Sequence, residues 1–380
     1  MNNQSMLLYV HVPFCRSKCN YCAFSSQVYS PELEQSYLQA LKKEVEIRSG
    51  QYKHKRLDSI YFGGGTPTIL SISSLARIVE LISSGFELNS GVEFTVEANP
   101  ETVTDKKDIQ ALRSMGVNRI SLGVQSLDDG ILMTLGRKHS SSQALKAAGM
   151  IMDAGIDNLS LDLIWGLPGQ NLRDWIADIK QLVRLQPKHI SCYGLTLEPG
   201  TPLSGWIEEN SIVLPADDHQ ARMYVHGAEY LESVGLLQYE VSNFARMGYA
   251  CSHNMGYWEG KDYLGLGPSA VSSVGIVRWT SPAQTGEYAD LARNSFHALE
   301  KEALTHRDIT NERIMLSLRT SRGLKLSEYR KLTGQNFCRR FNHMISVLRK
   351  NHLVRMANGY FRLTRNGMLV SNSIIERFIS

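Results

Sequence analysis

The first two-thirds of the chain alternate between short apolar runs and longer segments whose apolar residues recur with helical spacing. Amphipathic stretches such as Pro31–Arg48, Ser73–Ser84 and Leu172–Leu185 follow runs rich in branched and aromatic residues. Six such runs are predicted strands: Leu7–Val12, Ser59–Phe62, Val92–Val96, Arg119–Val124, Leu159–Ile164 and Ile190–Leu195. Strand–helix alternation predicts parallel strands joined by right-handed crossovers. We therefore expect a closed or incomplete (β/α)6 barrel over residues 1–236.

The remainder of the chain follows a different pattern. Residues 237–300 are rich in Gly, Tyr and Ser in their first part and show few helix signals, so we expect a linker or a cap on the barrel. Residues 301–380 carry helical patterns at 309–320, 326–333 and 338–350, then two apolar runs separated by Asn358-Gly359. That dipeptide is a strong hairpin signal. Helices followed by a hairpin and a final helix predict a small winged-helix-like α+β domain.

Composition narrows the class of protein. The chain has 380 residues, a net charge of +4 and no apolar run near the length of about 20 residues that spans a bilayer. Its first residues lack a signal-peptide pattern, so we expect a cytoplasmic protein. No cluster of Lys and Arg marks one face of the predicted C-terminal domain, which argues against a nucleic-acid partner. Six cysteines are too few for a disulfide scaffold. We interpret Cys192, Cys251 and Cys338 as small buried hydrophobic residues.

The other three cysteines, Cys15, Cys19 and Cys22, follow the first predicted strand with the spacing C-x3-C-x2-C. Structural zinc takes four ligands, usually in two pairs, and the nearby candidate for a fourth is His11. A [4Fe-4S] cube is also normally held by four thiolates. Three thiolates leave one iron open, and an open position is typical of a reactive metal site. The spacing favours an iron–sulfur cluster over zinc.

The predicted strands end in glycine-rich or polar residues, and in barrels of this kind the chemistry lies at those ends. Gly63-Gly-Gly-Thr-Pro after the second strand has two interpretations. Glycines let a ligand approach the backbone, but they also permit a tight strand-to-helix turn. Beside a cysteine loop at the same end of the barrel, ligand binding is the favoured interpretation.

These motifs together resemble the radical S-adenosylmethionine (SAM) superfamily. Within it, further stretches are similar to the oxygen-independent coproporphyrinogen III oxidases and their HemW relatives: His11-Val-Pro-Phe-Cys, Gly63-Gly-Gly-Thr-Pro-Thr, Glu97-Ala-Asn-Pro, Ser121-Leu-Gly-Val-Gln-Ser and Leu161-Asp-Leu-Ile-Trp-Gly-Leu-Pro-Gly-Gln. The resemblance implies that the three cysteines hold a [4Fe-4S] cluster whose open iron binds SAM. It also implies SAM contacts, including some to a second molecule, from Tyr9, Gly64, Gly65, Thr66, Glu97, Gln125, Arg137, Asp162 and Thr196.

Two departures separate the branches of this family. The oxidases carry another cysteine two places after the triplet, where this chain has Phe24, and an N-terminal extension where this chain has about eight residues before Tyr9. In addition, His253-Asn254-Met-Gly-Tyr257-Trp258 resembles the His-Asn-x-x-Tyr-Trp motif of the HemW branch. An imidazole is a normal haem ligand, and aromatic rings can pack on a porphyrin. The alternative is that these four residues make local hydrogen bonds and pack against the barrel.

The resemblance therefore implies a haem chaperone that binds haem and a SAM-coordinated [4Fe-4S] cluster and transfers the haem to an acceptor protein. That acceptor can be membrane-associated, and a homodimer is an open option. The alternative is a radical SAM enzyme that acts on a porphyrin, such as the coproporphyrinogen III oxidase, although we do not expect that oxidase activity here. Whether the chain is an enzyme stays open at this point.

Overall fold

The structure, a computed structural model, describes residues 5–379. Within them, six parallel strands lie side by side in chain order and form the curved wall of an incomplete barrel. These strands, β1–β6, are Ser5–Val12, Arg56–Gly64, Glu87–Ala98, Arg119–Gln125, Asn158–Trp165 and His189–Gly194. Their helices, α1–α8, are Pro31–Tyr52, Ile72–Gly85, Lys106–Ser114, Asp129–Thr134, Ser141–Asp153, Leu172–Val183, Pro202–Glu208 and Asp217–Ser233. The predicted incomplete barrel is confirmed.

Side chains on the two faces of the barrel wall differ in polarity. In β3, Phe94 and Val96 belong to the main apolar core, whereas Thr95 and Glu97 lie on the opposite face. The other barrel strands alternate in the same way, because successive side chains of a strand point to opposite faces. The hydrophobic core therefore lies between the sheet and the outer helices, and the inside of the barrel is lined largely by polar groups.

Caps define where the outer helices begin. Ser30 accepts a hydrogen bond from the Leu33 N–H, and Pro31 follows at the first position of α1. Asn171 accepts from the Asp174 N–H at the start of α6. These side chains satisfy backbone donors that would otherwise lack partners. The predicted helix starts at Pro31 and Leu172 agree with these caps.

The sheet continues past residue 236 on both sides of the barrel wall. Strands β7 (Leu237–Gln238) and β8 (Asn243–Ala245) extend it beyond β6, and β9 (Tyr263–Leu266) pairs in parallel with β1. Strands β10–β12 continue outward from β9 at Val271–Val274, Val277–Thr280 and Glu302–Ala303. The expectation that strand–helix alternation stops at residue 237 is wrong for this region, since helix α9 (Ser252–Trp258) leads directly into the parallel strand β9. The division of the chain at residues 236 and 300 stays a prediction.

Residues 246–262, here called the closing segment, cross the N-terminal mouth of the barrel, where the six strands begin. At one end the Arg246 N–H donates to the Lys188 carbonyl, just before β6. At the other end the Leu7 N–H of β1 donates to the Asp262 carbonyl. Helix α9 lies between these anchors, and Gly256 packs so closely on Leu7 that a Cβ atom would lie 2.5 Å from its side chain. The closing segment thus shuts the end of the barrel opposite the cysteines.

The C-terminal unit has its own apolar core. The rings of Phe337, Phe361 and Phe378 meet with centroids 5.2–5.4 Å apart. The predicted hairpin is present, with its turn at Asn358-Gly359 and positive φ at both residues. The predicted helix over 338–350 is broken at Phe341, and the final helix is two short ones. The elements are α11 His306–Leu318, β13 Leu324–Lys325, α12 Leu326–Thr333, α13 Phe337–Arg340, α14 Asn342–Lys350, β14 Val354–Ala357, β15 Tyr360–Leu363, α15 Arg365–Leu369 and α16 Ser371–Ile375, with α10 at Thr285–Arg293 preceding them.

Candidate cluster and cofactor site

A cavity of about 460 Å³ opens at the C-terminal mouth of the barrel, where the six strands end. All three cysteines of the C-x3-C-x2-C loop line it. Eight of the nine residues predicted to contact SAM line it too: Gly64, Gly65, Thr66, Glu97, Gln125, Arg137, Asp162 and Thr196. Tyr9 is not among the lining residues, and its hydroxyl lies 3.1 Å from the His11 Nδ1 atom. The barrel therefore brings these eight predicted residues together and leaves Tyr9 beneath the cavity.

Three kinds of contact hold the cysteine loop: ring packing, strand pairing within the loop and a backbone hydrogen bond to a neighbouring helix. Phe14 is fully buried, and its ring packs edge-on against Tyr37. The short strands Phe14–Cys15 and Gln27–Val28 pair in parallel across the base of the loop. In the middle of the loop, the Asn20 N–H donates to the Leu135 carbonyl. These contacts define the position of the loop on the barrel.

The glycine-rich turn packs tightly and also lies at the cavity, while ligand binding there stays a prediction. Gly64 has a φ of +103°, and a Cβ atom there would lie 2.5 Å from the His11 ring. A Cβ atom on Gly65 would lie 2.4 Å from the Phe14 carbonyl oxygen. Gly64 therefore leaves room for the His11 ring of β1 and Gly65 for the start of the cysteine loop, and both also line the cavity.

A polar bridge connects two of the three cysteines. The Thr66 hydroxyl donates to the Cys15 sulfur at 3.7 Å, and the Asn99 amide donates to that hydroxyl at 2.7 Å. Arg137 donates from Nη2 to the Asn99 carbonyl oxygen at 2.5 Å and from Nη1 to the Cys19 sulfur at 3.6 Å. The bridge fixes the separation of Cys15 and Cys19 and points donors at sulfur atoms that carry negative charge as thiolates.

Two carboxylates at the cavity floor have different surroundings. Asp162 accepts hydrogen bonds from three serine hydroxyls, those of Ser121, Ser160 and Ser191, at 2.6–2.8 Å. Glu97 accepts from one side-chain donor, the Tyr61 hydroxyl, at 2.7 Å. Asp162 is therefore held on several sides, whereas the position of Glu97 depends largely on Tyr61.

Burial changes the acidity of several groups around the cavity. Desolvation, reinforced by the charge of Asp162, raises the pKa of Glu97 to about 7 despite the hydrogen bond from Tyr61. For Glu101 burial also opposes ionisation, but the His139 hydrogen bond and the charge of Arg137 outweigh it and lower the pKa. Burial raises the pKa values of the Cys15 and Cys22 thiols. The pKa values of two carboxyl groups at one cavity are thus shifted in opposite directions.

The predicted haem motif lies at the other end of the barrel, in helix α9 of the closing segment. His253 is buried; its Nδ1 atom lies 2.8 Å from the Ser59 hydroxyl and its Nε2 atom 3.1 Å from the Tyr257 hydroxyl. Its ring stacks on Tyr61 at a centroid distance of 4.9 Å. Burial lowers its pKa to about 3, so the ring is neutral. In this conformation both ring nitrogens are engaged within the protein, and Asn254 and Trp258 are partly buried on the same helix.

Glu93 fixes the start of helix α9. Its carboxylate accepts from the backbone N–H groups of Ser252 and His253, both at 3.0 Å, and from the Cys251 thiol at 3.4 Å. The fully buried Arg119 of β4 lies near this group, and the charge of Glu93 is one of the influences that raise its pKa. The negative charge of Glu93 thus partly offsets the cost of burying Arg119.

The donor set of the cysteine loop fits a four-iron cluster. The three thiols are free and line one cavity. Within residues 5–379 no group of three or more His, Cys, Asp or Glu side chains is close enough to enclose a metal ion. A cube carries each thiolate on a different iron and so holds thiolates farther apart than a single tetrahedral ion does. The spacing of the loop and the hydrogen bonds to Cys15 and Cys19 suit the larger centre.

The sequence reasoning missed several residues that shape the site. Asn99 connects Thr66 to Arg137, Tyr61 supports Glu97, and the three serines hold Asp162. A signal for most of them exists in the sequence, because a polar residue occupies alternate positions of each predicted strand. Attention to period two within those runs identifies the polar inner face of the barrel.

Fold, cysteine loop and polar strand ends define the class of protein. The family model described as "Radical SAM superfamily" matches residues 9–182, and the model described as "HemN C-terminal domain" matches residues 304–370. A solved structure of coproporphyrinogen III oxidase (HemN) from Escherichia coli, titled a radical SAM enzyme, superposes with a TM-score of 0.84 and 23% sequence identity. That match covers 100% of this chain and 91% of the other, and it supports the fold.

Relatives of similar length identify the family within that class. The "Heme chaperone HemW" of Bacillus subtilis (strain 168) is 31% identical over 98% of both chains. The protein of the same name from Haemophilus influenzae is 31% identical over 98% of this chain and 97% of its own. That from Mycobacterium tuberculosis (strain H37Rv) is 34% identical over 86% of this chain and 85% of its own. The chain belongs to the HemW family.

Proposed function

We propose that this protein is a haem chaperone that carries a SAM-coordinated [4Fe-4S] cluster at the C-terminal mouth of its barrel. The observation that carries the proposal is the set of three free cysteines on a fixed loop, facing two carboxylates and Arg137 across one cavity. Relatives named heme chaperone, aligned over nearly the full chain, support the delivery of haem as its role.

At the cysteine loop, Cys15, Cys19 and Cys22 hold the cluster, which supplies an open iron and a transferable electron when bound. Thr66 and Arg137 donate to two of the sulfur atoms and lower the cost of their negative charge. Glu97 and Asp162 accept hydrogen bonds from the amino and hydroxyl groups of SAM, while the glycine-rich turn admits it close to the backbone. Gln125, Thr196 and, from beneath the cavity, Tyr9 complete this proposed contact set.

We retain His253, Asn254, Tyr257 and Trp258 as the proposed haem site. For His253 to bind iron, its ring must give up either Ser59 or Tyr257, since both nitrogens are engaged. Haem binding at this motif therefore involves opening of the closing segment.

The proposed partners are haem and an acceptor protein, which can be membrane-associated, and a homodimer is possible; no nucleic acid is involved. No helix within the described residues has the length and apolar character needed to cross a bilayer. The proposed location is the cytoplasm.

The test is anaerobic reconstitution of the cluster followed by separate additions of SAM, haem and coproporphyrinogen III. We expect a broad iron–sulfur absorption band, a changed cluster EPR signal on adding SAM, uptake of about one haem per chain and transfer of that haem to an apo-haem protein. His253→Ala should alter the haem spectrum.

Other outcomes would favour other functions. Conversion of coproporphyrinogen to its divinyl product would make the chain an oxidase and overturn the proposal. Cluster and SAM binding without haem uptake would leave a radical SAM enzyme of another kind. An unchanged haem spectrum in His253→Ala would remove that residue from the ligands while leaving the chaperone function standing.

A further inference from the structure

We infer that His253 is a positioning residue for the SAM site: from the opposite mouth of the barrel it holds the ring of Tyr61, and through that ring it holds Glu97. The inference rests on the proposed binding of SAM and concerns how that site is built and regulated. It assigns to the His-Asn-x-x-Tyr-Trp motif a role that is separate from haem ligation.

His253 has a fixed orientation, because its ring and its backbone are both hydrogen-bonded. Ser59 and Tyr257 contact its two ring nitrogens at 2.8 and 3.1 Å, so the imidazole cannot turn without losing a buried hydrogen bond. The backbone N–H of His253 is also held, by Glu93 at 3.0 Å.

The ring of His253 supports the ring of Tyr61. The two rings stack with centroids 4.9 Å apart and planes inclined by 29°. Tyr9 stacks on Tyr61 as well, at 6.2 Å and 30°. Tyr61 therefore lies against His253 and Tyr9, and its hydroxyl points to the Glu97 carboxylate at 2.7 Å.

The position of the Glu97 carboxylate depends on the Tyr61 hydroxyl. Its other hydrogen-bond donor is the Gly64 backbone, whereas Asp162 has three serine donors. Gly63 leaves the space that lets Glu97 and Tyr61 meet, since a Cβ atom there would lie 3.0 Å from both side chains. If the support beneath Tyr61 is removed, Glu97 loses the main contact that orients it toward the cavity.

The arrangement couples the two mouths of the barrel. A ligand that takes His253 away from Ser59 or Tyr257 also removes the ring on which Tyr61 rests. Its binding then lowers the affinity for SAM, and bound SAM opposes its binding by the same factor, because coupling between two binding sites is reciprocal. SAM at one mouth thus favours the closed state of the other.

The test measures SAM affinity by equilibrium dialysis on the full-length chain with its cluster reconstituted. We expect His253→Ala to weaken SAM binding about tenfold, the loss typical of a misaligned hydrogen bond to a charged group. Tyr61→Phe should weaken it to a similar extent. The double variant should be no worse than Tyr61→Phe alone, because both changes remove the same interaction.

Two further variants separate positioning from haem ligation and from general destabilisation. His253→Phe combined with Ser59→Ala and Tyr257→Phe keeps a ring beneath Tyr61 without an iron ligand or orphaned hydroxyls. It should restore SAM affinity while haem coordination stays lost. Ile179→Ala, a buried change in the outer helix α6, should lower stability without altering SAM affinity.

The possible results are distinct. If wild type binds SAM and His253→Ala binds it equally well, the inference is wrong and the proposed function stands. Additive effects of Tyr61→Phe and His253→Ala would also overturn the inference. If wild type binds no SAM with its cluster in place, the proposed function fails and the inference fails with it.

Discussion

The two mouths of the barrel belong to the same six strands but are completed in opposite ways. At the C-terminal mouth the strands end in glycines and polar residues around an open cavity of about 460 Å³. At the N-terminal mouth the closing segment fills the opening, and its polar groups are paired with the barrel, as Glu93 with the start of α9 and His253 with Ser59. One end therefore offers groups to a ligand, and at the other end Glu93 and His253 are already paired within the protein.

The difference shows that polar residues inside a barrel need not indicate a ligand site at each position. Buried polar groups must find partners. At the closed mouth the partners come from the chain itself, whereas at the open mouth several groups, such as Glu97, have few of them. The open mouth is thus the end where polar groups and an open cavity occur together.

The largest effect is expected from the cysteine loop. Cys19→Ala should reduce the iron content of the reconstituted protein to below about a tenth, because two thiolates do not retain a cube that normally has four. Iron and sulfide analysis, with absorption spectroscopy, measures the loss. Cys338→Ala in the C-terminal unit is the matched control and should keep its cluster; full loading of Cys19→Ala would contradict the assignment.

At the closed mouth the largest effect is expected from Glu93→Ala. The change leaves the N–H groups of Ser252 and His253 without an acceptor and removes the negative charge near Arg119. We expect a loss of about 3 kcal/mol in the free energy of unfolding and faster amide exchange at residues 252–258. Glu87→Ala, which removes an exposed ion pair with Arg56, should cost less than about 1 kcal/mol. Unchanged exchange in α9 would show that Glu93 does not hold the segment.

A smaller, pH-dependent effect is expected from Glu97→Gln in the cluster-free protein. Because the folded pKa of Glu97 is raised to about 7, the stability tied to its protonated form is present at low pH and is lost as pH rises through about 7. The Gln variant should therefore be more stable than wild type at pH 8, and the difference should vanish near pH 4. Urea unfolding at several pH values measures it.

Glu101→Gln is the control with the opposite sign. The pKa of Glu101 is lowered, so its ionised form stabilises the fold above its usual pKa and that stability is lost as pH falls. The Gln variant should be less stable than wild type at neutral pH. Parallel pH profiles for the two variants would contradict the contrast between these carboxylates.

The smallest effect is expected from Thr66→Val. It removes the donor to the Cys15 sulfur and the acceptor of the Asn99 amide, so stability should fall by about 1 kcal/mol. The reduction potential of the cluster should become more negative, since hydrogen bonds to sulfur favour the reduced form. Potentiometric titration tests this. Thr68→Val is the control. Within residues 5–379 the Thr68 hydroxyl makes its side-chain hydrogen bond to Thr102 and not to a cysteine, so this variant should leave the potential unchanged.

Local sequence pattern was enough to predict the barrel wall. Each predicted strand falls on an observed one, to within a residue at Ile190–Leu195, and Leu326–Thr333 is a helix with the predicted bounds. These elements bury one face over several turns or residues, so the periodicity is strong. The cysteines and the polar strand ends were found because residues at the ends of parallel strands meet at one mouth of the barrel.

The pattern could not predict contacts between distant parts of the chain. Tyr263–Leu266 is four residues long, and its parallel pairing with β1 depends on a partner about 250 residues earlier. The location of His253 beneath Tyr61 depends on that pairing, because the closing segment is stretched between β8 and β9. The helix over 338–350 was predicted as one because its apolar spacing continues across Phe341, where the backbone leaves the helical conformation.

The pairing of β1 with β9 also determines when the protein can be completed during synthesis. The ribosome makes the cysteine loop within the first 22 residues, but Tyr263–Leu266 and the closing segment emerge only after two-thirds of the chain. Until then β1 lacks one of its two neighbours and Tyr61 lacks the ring beneath it. Contacts of such high sequence separation form late and slowly. A cluster inserted before Tyr263–Leu266 is made would meet an unfinished barrel, so loading of the cysteines is expected to follow synthesis of the closing segment and this strand.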